Sequence, residues 1–189
     1  MAPVAKPARY LWLLRHAKTV TDPPSGGSDF DRVLAPRGRR DATALGRLFA
    51  DQGDQLGPDL KGVPRPTLAL VSPAARTMAT AELVLGSMAE PPVLRFDATL
   101  YGAEPFEVLA LVQALDDGVD AAMVVGHNPT AQDLSRDLLA PRDKKNLSLV
   151  ERRGFPTCAL GVYAFKGRRW DDADFEAAKL VALLTPPYG

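Results

Sequence analysis

Two histidines make up the whole imidazole complement of this 189-residue chain, and each closes an apolar run. His16 follows "YLWLLR", and His127 follows "AAMVVG". A third apolar run, "TLALVS", ends on Ser72 and leads through Pro73 to Arg76, while Arg15 adjoins His16 directly. An unprotonated imidazole nitrogen is a nucleophile at neutral pH. Guanidinium forks match phosphate oxygens in a two-pronged way that lysine cannot reproduce. Two imidazoles and two guanidiniums in one place would therefore form an oxyanion pocket fit for phosphoryl transfer. Taken singly, each residue has a plainer explanation. A histidine after a strand is more often a satisfied loop residue, Ser72 reads as a helix cap and Arg76 as a helix-surface charge. The coincidence of all four after strand-like runs reverses that balance.

Bringing residues 15, 76 and 127 together requires a particular arrangement of elements. Residues 10–14 read as a short buried strand, residues 19–35 as a Pro/Gly/Asp/Ser-rich loop, and "PRGRRDATALGRLFADQ" as a helix with Ala42, Leu45, Leu48 and Phe49 on one face. "TLALVS" reads as a second strand. "SPAARTMATAELVLG" reads as a helix with Ser72 as N-cap, Pro73 at its first position, Arg76 about one turn in and Gly86 as its stop. "PPVLRFDATLYG" suggests a short strand and loop, and "AEPFEVLALVQALDD" a helix. "AAMVVG" is a third buried strand, with Asn128 and Pro129 opening a helix to about residue 139. "PRDKKNLSLVERRG" reads as a surface loop, "FPTCALGVYAF" as a late strand and "DADFEAAKLVALL" as a closing helix.

Strands alternating with helices predict an α/β fold, a three-layer α/β/α sandwich with a mostly parallel central sheet. Ligands in such folds bind beyond the carboxyl ends of the strands. Arg15, His16 and Lys18 follow the first strand, Ser72 and Arg76 the second, and His127 and Asn128 the third. All therefore fall on one sheet edge, beside helix starts whose N–H groups favour an anion. The expected organisation is a loose tail over residues 1–8 and a single domain over residues 9–189.

Lys plus Arg and Asp plus Glu each number 23, so bulk charge points to neither nucleic acid nor an acidic membrane. The lone cysteine, Cys158, rules out an internal disulfide and a cysteine-zinc cluster, and fits a cytoplasmic protein with a small thiol in its core. Two histidines without a clustered carboxylate or thiolate fall short of a zinc site. Neither a Gly-rich phosphate loop nor a G-x-S-x-G elbow is present.

These segments resemble a known family. "LLRHAK" is similar to the R-H-G signature of the histidine phosphatase superfamily, "VSPAARTMATAE" to its S-P-x-x-R-A-x-Q-T-A segment and "VVGHNP" to its second histidine motif. "SDFDRVLAPRGRRDA" and "LYGAEPFEVL" look like the SixA-type phosphohistidine phosphatase branch. The resemblance runs in order over residues 11–165 and implies a phosphoglycerate mutase-like fold. It implies that His16 is the nucleophile that becomes phosphorylated, that Arg15 and Arg76 hold the phosphoryl oxygens, and that His127 stabilises the transferring group. Asp29, Arg32, Asn128 and Ser72 fall where substrate contacts are expected. No metal and no other cofactor is implied. Ala17, Thr77 and Ala79 depart from the family's usual Gly, Ala and Gln. For a general acid Glu104 is the nearest candidate and Asp97 the weaker one, although an acid at a helix start is also favoured by the dipole alone.

The expected activity is a metal-independent phosphatase acting through a phosphohistidine intermediate on a phosphorylated protein. The alternatives are a phosphatase for a small phosphomonoester, such as a sugar phosphate or nucleotide, and a non-catalytic phosphate-binding module. A phosphohistidine leaves as imidazole and demands less of an enzyme acid than an alkoxide does. Neither nucleic acid nor membrane is an expected partner.

Overall fold

The computed structural model describes residues 8–50 and 58–188. Its strands are β1 (Ala8–Arg15), β2 (Leu68–Val71), β3 (Val93–Phe96), β4 (Ala121–Gly126), β5 (Leu160–Lys166) and β6 (Ala178–Leu184). Its α-helices are α1 (Pro36–Ala50), α2 (Ala75–Leu85), α3 (Pro105–Gln113), α4 (Thr130–Asp137) and α5 (Lys144–Arg153). The strands form one sheet in the order β3-β2-β4-β1-β5-β6. The pairs β3–β2, β2–β4 and β4–β1 are parallel, whereas β1–β5 and β5–β6 are antiparallel, so β5 alone runs against the rest.

Both faces of the sheet are covered, which is why β1 and β4 read as unbroken apolar runs. Leu11 and Leu13 point into one core layer, with Val108, Leu109 and Val112 of α3 and Leu134 of α4. Trp12 and Leu14 point into the other, with Ala42, Leu45 and Phe49 of α1 and Ala81 and Val84 of α2. The result is the expected three-layer sandwich.

One glycine bears directly on the functional edge. A Cβ on Gly38 would lie 2.1 Å from the Lys18 carbonyl oxygen, so only glycine lets α1 press against the segment that follows His16.

Several expectations need correction. Residues 144–153, read as a surface loop, form α5. Asp143 caps it by accepting from the Asn146 N–H at 3.3 Å, Val150 is fully buried, and Gly154 ends it at φ 63°. One buried face suffices to hold a helix whose other residues are charged. The "closing helix" is the strand β6. Its Leu/Ala-rich run has good helix propensity, but pairing with β5 covers what would otherwise be an open sheet edge. Glu176, at φ 59°, also breaks any helix begun at Asp174. β1 begins at Ala8, inside the expected tail, and residues 1–7 lie outside the described residues. Cys158 is not in a strand; it sits fully buried in the turn before β5 at φ 65°, where burial pushes its thiol up to about 12.

Candidate active site

Register in the sheet decides which chain segments meet. Arg15 of β1 pairs with Gly126 of β4, and Val71 of β2 pairs with Val125 of β4. The residues that follow these strands are therefore neighbours. The His16 N–H donates to the Gly126 carbonyl and the Ser72 N–H to the Val125 carbonyl, at 3.0 and 3.1 Å. The His16 and His127 rings stand 5.3 Å apart, centre to centre. They share a cleft of about 320 Å³ lined by Arg15, His16, Lys18, Thr19, Asp29, Arg32, Arg76, His127, Asn128 and Thr157.

The hydrogen bonds fix the tautomer of each ring. His16 Nδ1 lies 2.8 Å from the Ala17 carbonyl oxygen, which can only accept, so Nδ1 carries the proton and Nε2 keeps a free lone pair. Arg76 Nε, which can only donate, gives its proton to His127 Nδ1 at 3.3 Å, so the His127 proton sits on Nε2 and points to Ser72 Oγ at 2.8 Å. Both rings are held neutral. Burial is the main cause of the drop to about 4 for His16; Arg76, Arg15 and Arg32 reinforce it, against the bond to Ala17. Burial, then Arg76 and the His16 ring, bring His127 to about 3. Desolvation thus contributes more to keeping His16 neutral than the like charge of the neighbouring arginines does.

Three guanidiniums are anchored around the rings. Arg15 Nη1 donates to the Phe155 carbonyl at 2.8 Å, an acceptor shared with Asn128 Nδ2 at 3.2 Å. Arg32 is tied into its own loop through the Val20 carbonyl and Thr19 Oγ1. Arg76, only 7% exposed, donates from Nη1 to the Asp29 carbonyl oxygen at 2.6 Å and from Nη2 to Asp29 Oδ2 at 2.9 Å. Asp29 Oδ1 accepts from Arg32 Nη1 at 2.9 Å, and Tyr101 donates its hydroxyl to Oδ2 at 3.1 Å. The Arg32 bond leads in holding the Asp29 carboxyl down to about 2; Tyr101 and Arg76 add to it, against partial burial.

Of the residues singled out from sequence, Arg15, His16, Asp29, Arg32, Arg76, His127 and Asn128 meet in this cleft. Ser72 is not the helix cap it was read as. Helix α2 begins at Ala75 after Ala74, and the fully buried Ser72 spends its hydroxyl on His127. Arg76 accordingly lies in the first turn of α2, not one turn in. Thr77 holds this approach by donating to the Ser72 and Ala74 carbonyls, at 2.7 and 2.8 Å. Glu104 is not among the cleft residues. It precedes α3, exposed, with its N–H donating to Glu107 Oε2 at 2.8 Å. Asp97 caps the turn at Ala98–Leu100 by accepting from the Thr99 N–H. Tyr101, Thr19 and Thr157 were missed; the "LYG" segment marked the neighbourhood of Tyr101 without showing that it reaches Asp29.

These values set a pH signature. The kcat/KM of the wild type is expected to hold level from neutral pH to about 5 and to fall as pH drops through about 4, where His16 protonates. Stability moves in the same direction. In the unfolded chain both histidines protonate near 6.5, in the folded chain they do not, so the unfolded state binds more protons below that pH. The stability present above pH 6.5 is then lost progressively on acidification, a trend that denaturant midpoints at pH 7 and pH 5 would measure. An activity limb near pH 6.5 would contradict a buried, neutral His16 as the group whose titration sets the rate.

Among the described residues no three His, Cys, Asp or Glu side chains cluster as a metal site, and no helix is long and apolar enough to cross a membrane.

No family model matches the chain. An uncharacterised protein of Mycobacterium tuberculosis (strain H37Rv) is 32% identical over 175 residues, covering 92% of this chain and 99% of that protein. A solved structure from Nakamurella multipartitia, of a candidate phosphohistidine phosphatase SixA, is 30% identical with TM-score 0.73, over 95% of this chain and 96% of that one. A second of the same description, from Agrobacterium tumefaciens, is 28% identical with TM-score 0.72, over 94% and 98%. Sequence, sheet order and the joined histidine motifs agree: the chain belongs to the histidine phosphatase superfamily, in its SixA-type branch, and is a phosphatase.

Proposed function

We propose that the protein is a phosphohistidine phosphatase that acts on a phosphorylated protein through phosphorylation of His16. The observation that carries this reading is the His16 ring. Its Nδ1 proton is tied to the Ala17 carbonyl and its neutral Nε2 belongs to a cleft lined by Arg15, Arg32, Arg76 and Lys18. In the first step the Nε2 lone pair attacks phosphorus, the bond to the substrate's ring nitrogen breaks, and its electron pair returns to that ring. In the second step water attacks the phosphorylated His16, releasing inorganic phosphate and restoring the ring. The arginines neutralise charge on the non-bridging oxygens, where most phosphoryl-transfer catalysis arises.

His127 is neutral at rest, so it does not supply the positive charge one could have assigned to it. A bound phosphoryl dianion favours its protonated form, and Ser72 and Arg76 keep the ring in place for either state. Neither Glu104 nor Asp97 lines the cleft, which suits a leaving group that needs no strong acid. The names of the Nakamurella and Agrobacterium relatives support the same substrate. The reading includes action without a metal and a cytoplasmic location, in keeping with a single cysteine.

The test is turnover of a phosphohistidine peptide against a phosphoserine peptide in the presence of chelator. Faster hydrolysis of the phosphohistidine peptide is expected. Preference for phosphoserine or for a sugar phosphate, or dependence on added metal, overturns the reading.

A further inference from the structure

We propose that Asp29, with the Tyr101 ring beside it, is the specificity-determining element of the cleft: it binds the protonated ring of the bound phosphohistidine through the N–H of its second nitrogen and so favours phosphohistidine over phosphate esters of alcohols. The inference rests on the phosphoryl-transfer reading above and adds to it the residue that distinguishes substrates.

Among the described residues that line the cleft, Asp29 is the only acidic one; the other charged groups there are Arg15, Lys18, Arg32 and Arg76. In the resting structure its two oxygens occupy the guanidiniums of Arg32 and Arg76, each at 2.9 Å, as two oxygens of a tetrahedral anion would. An entering phosphoryl dianion offers those guanidiniums a more highly charged acceptor and frees the carboxylate from them. The Tyr101 hydroxyl, 3.1 Å from Oδ2, remains as its tether. The position is outward: the Asp29 side chain is 52% exposed, whereas that of Arg76 behind it is 8% exposed. A leaving group that is part of another protein has to lie on this solvent side.

The surroundings suit a cationic ring. Tyr101 stands edge-on to His127, 5.5 Å between ring centres, and Phe30 packs edge-on against Tyr101 at 5.0 Å. The Arg76 guanidinium carbon already lies 5.6 Å from the Tyr101 ring centre, so this aromatic surface holds one cation at rest.

The chemistry then separates substrates. A phosphohistidine ring enters protonated on its second nitrogen, and the Asp29 carboxylate accepts a charge-assisted hydrogen bond from that N–H. When the P–N bond breaks, its electron pair passes to the ring nitrogen and the ring departs as neutral imidazole with its remaining N–H. The phosphoryl group is meanwhile bonded to His16 Nε2, whose ring keeps the Nδ1 proton and becomes the cation. No proton has to be supplied. An alcohol ester differs: its leaving oxygen gathers negative charge and needs a proton. The Asp29 carboxylate, ionised in the resting cleft, has no proton to give and repels that oxygen.

The experiment compares kcat/KM for a phosphohistidine peptide with that for p-nitrophenyl phosphate, whose leaving group needs no proton. Full-length wild type, Asp29→Asn, Tyr101→Leu and Arg32→Gln are assayed side by side. The ratio of the two kcat/KM values is expected to fall about tenfold or more in Asp29→Asn, the scale of one hydrogen bond to a charged group. It should fall in the same direction in Tyr101→Leu, a change at a residue that is 40% exposed. Arg32→Gln, which touches the phosphoryl group common to both substrates, should lower both rates and leave the ratio intact. Proportional losses on both substrates in Asp29→Asn would make Asp29 only a support for the arginines and overturn the inference. So would ratios within twofold of wild type in both variants. Failure of the wild type to hydrolyse the phosphohistidine peptide at all would instead refute the proposed substrate, and the inference with it.

Discussion

Asparagine in place of His16 is expected to lower turnover by at least about a thousandfold, the scale on which a covalent nucleophile acts. The choice of asparagine matters. Its amide N–H can replace the Nδ1 proton that now reaches the Ala17 carbonyl at 2.8 Å, so the segment keeps its bond while the Nε2 lone pair is lost. The Cys158 and Gly126 main-chain bonds to residue 16 are untouched by the exchange. Rapid quenching of wild type with labelled substrate should trap an acid-labile, base-stable phosphoenzyme, and the variant should give none. Retained activity in the variant, or a label that maps to His127, would reassign the nucleophile.

The second large effect is expected at Arg76. This nearly buried guanidinium spends each of its three nitrogens separately: Nε on His127, Nη1 on the Asp29 carbonyl and Nη2 on its carboxylate. Glutamine has neither the charge nor enough donors to serve all three. Loss of a single preorganised donor to a developing oxyanion costs on the order of 10²–10³ in rate, and kcat/KM of Arg76→Gln should fall at least that far. A second readout comes from the imidazoles. Arg76 lowers both histidines, so its removal should raise both pKa values. With only two histidines in the chain, the two imidazole signals in a magnetic resonance titration report this without overlap. A rate loss with unmoved imidazole titrations would mean that Arg76 acts on the substrate alone and does not set the protonation of the rings.

Much of the site could be read from sequence because its residues follow buried strands. A continuous apolar run marks a strand covered on both faces, and in a parallel sheet the ends of such strands share an edge; His16, Arg76 and His127 follow from that rule alone. What resisted reading depended on contacts distant in sequence. Ser72 looks like a helix cap by local chemistry, yet its hydroxyl is claimed by His127, 55 positions away. Asp29 and Tyr101 carry no local sign that they meet across 72 positions. Helix α5 was hidden by charge, since Val150 buries a single face among lysines and arginines. Strand β6 was hidden by propensity, because Ala178–Leu184 favours a helix until β5 offers it an edge.

The main chain at His16 is fastened from two sides. Gly126 holds the His16 N–H, while the Cys158 N–H grips the His16 carbonyl and the Ala159 carbonyl takes the Arg15 N–H. The first of the described strands thus depends on the segment that leads into the fifth. A nascent chain that stops before β5 carries every side chain of the proposed chemistry and still lacks the frame that aims them, so catalytic competence arrives late in synthesis.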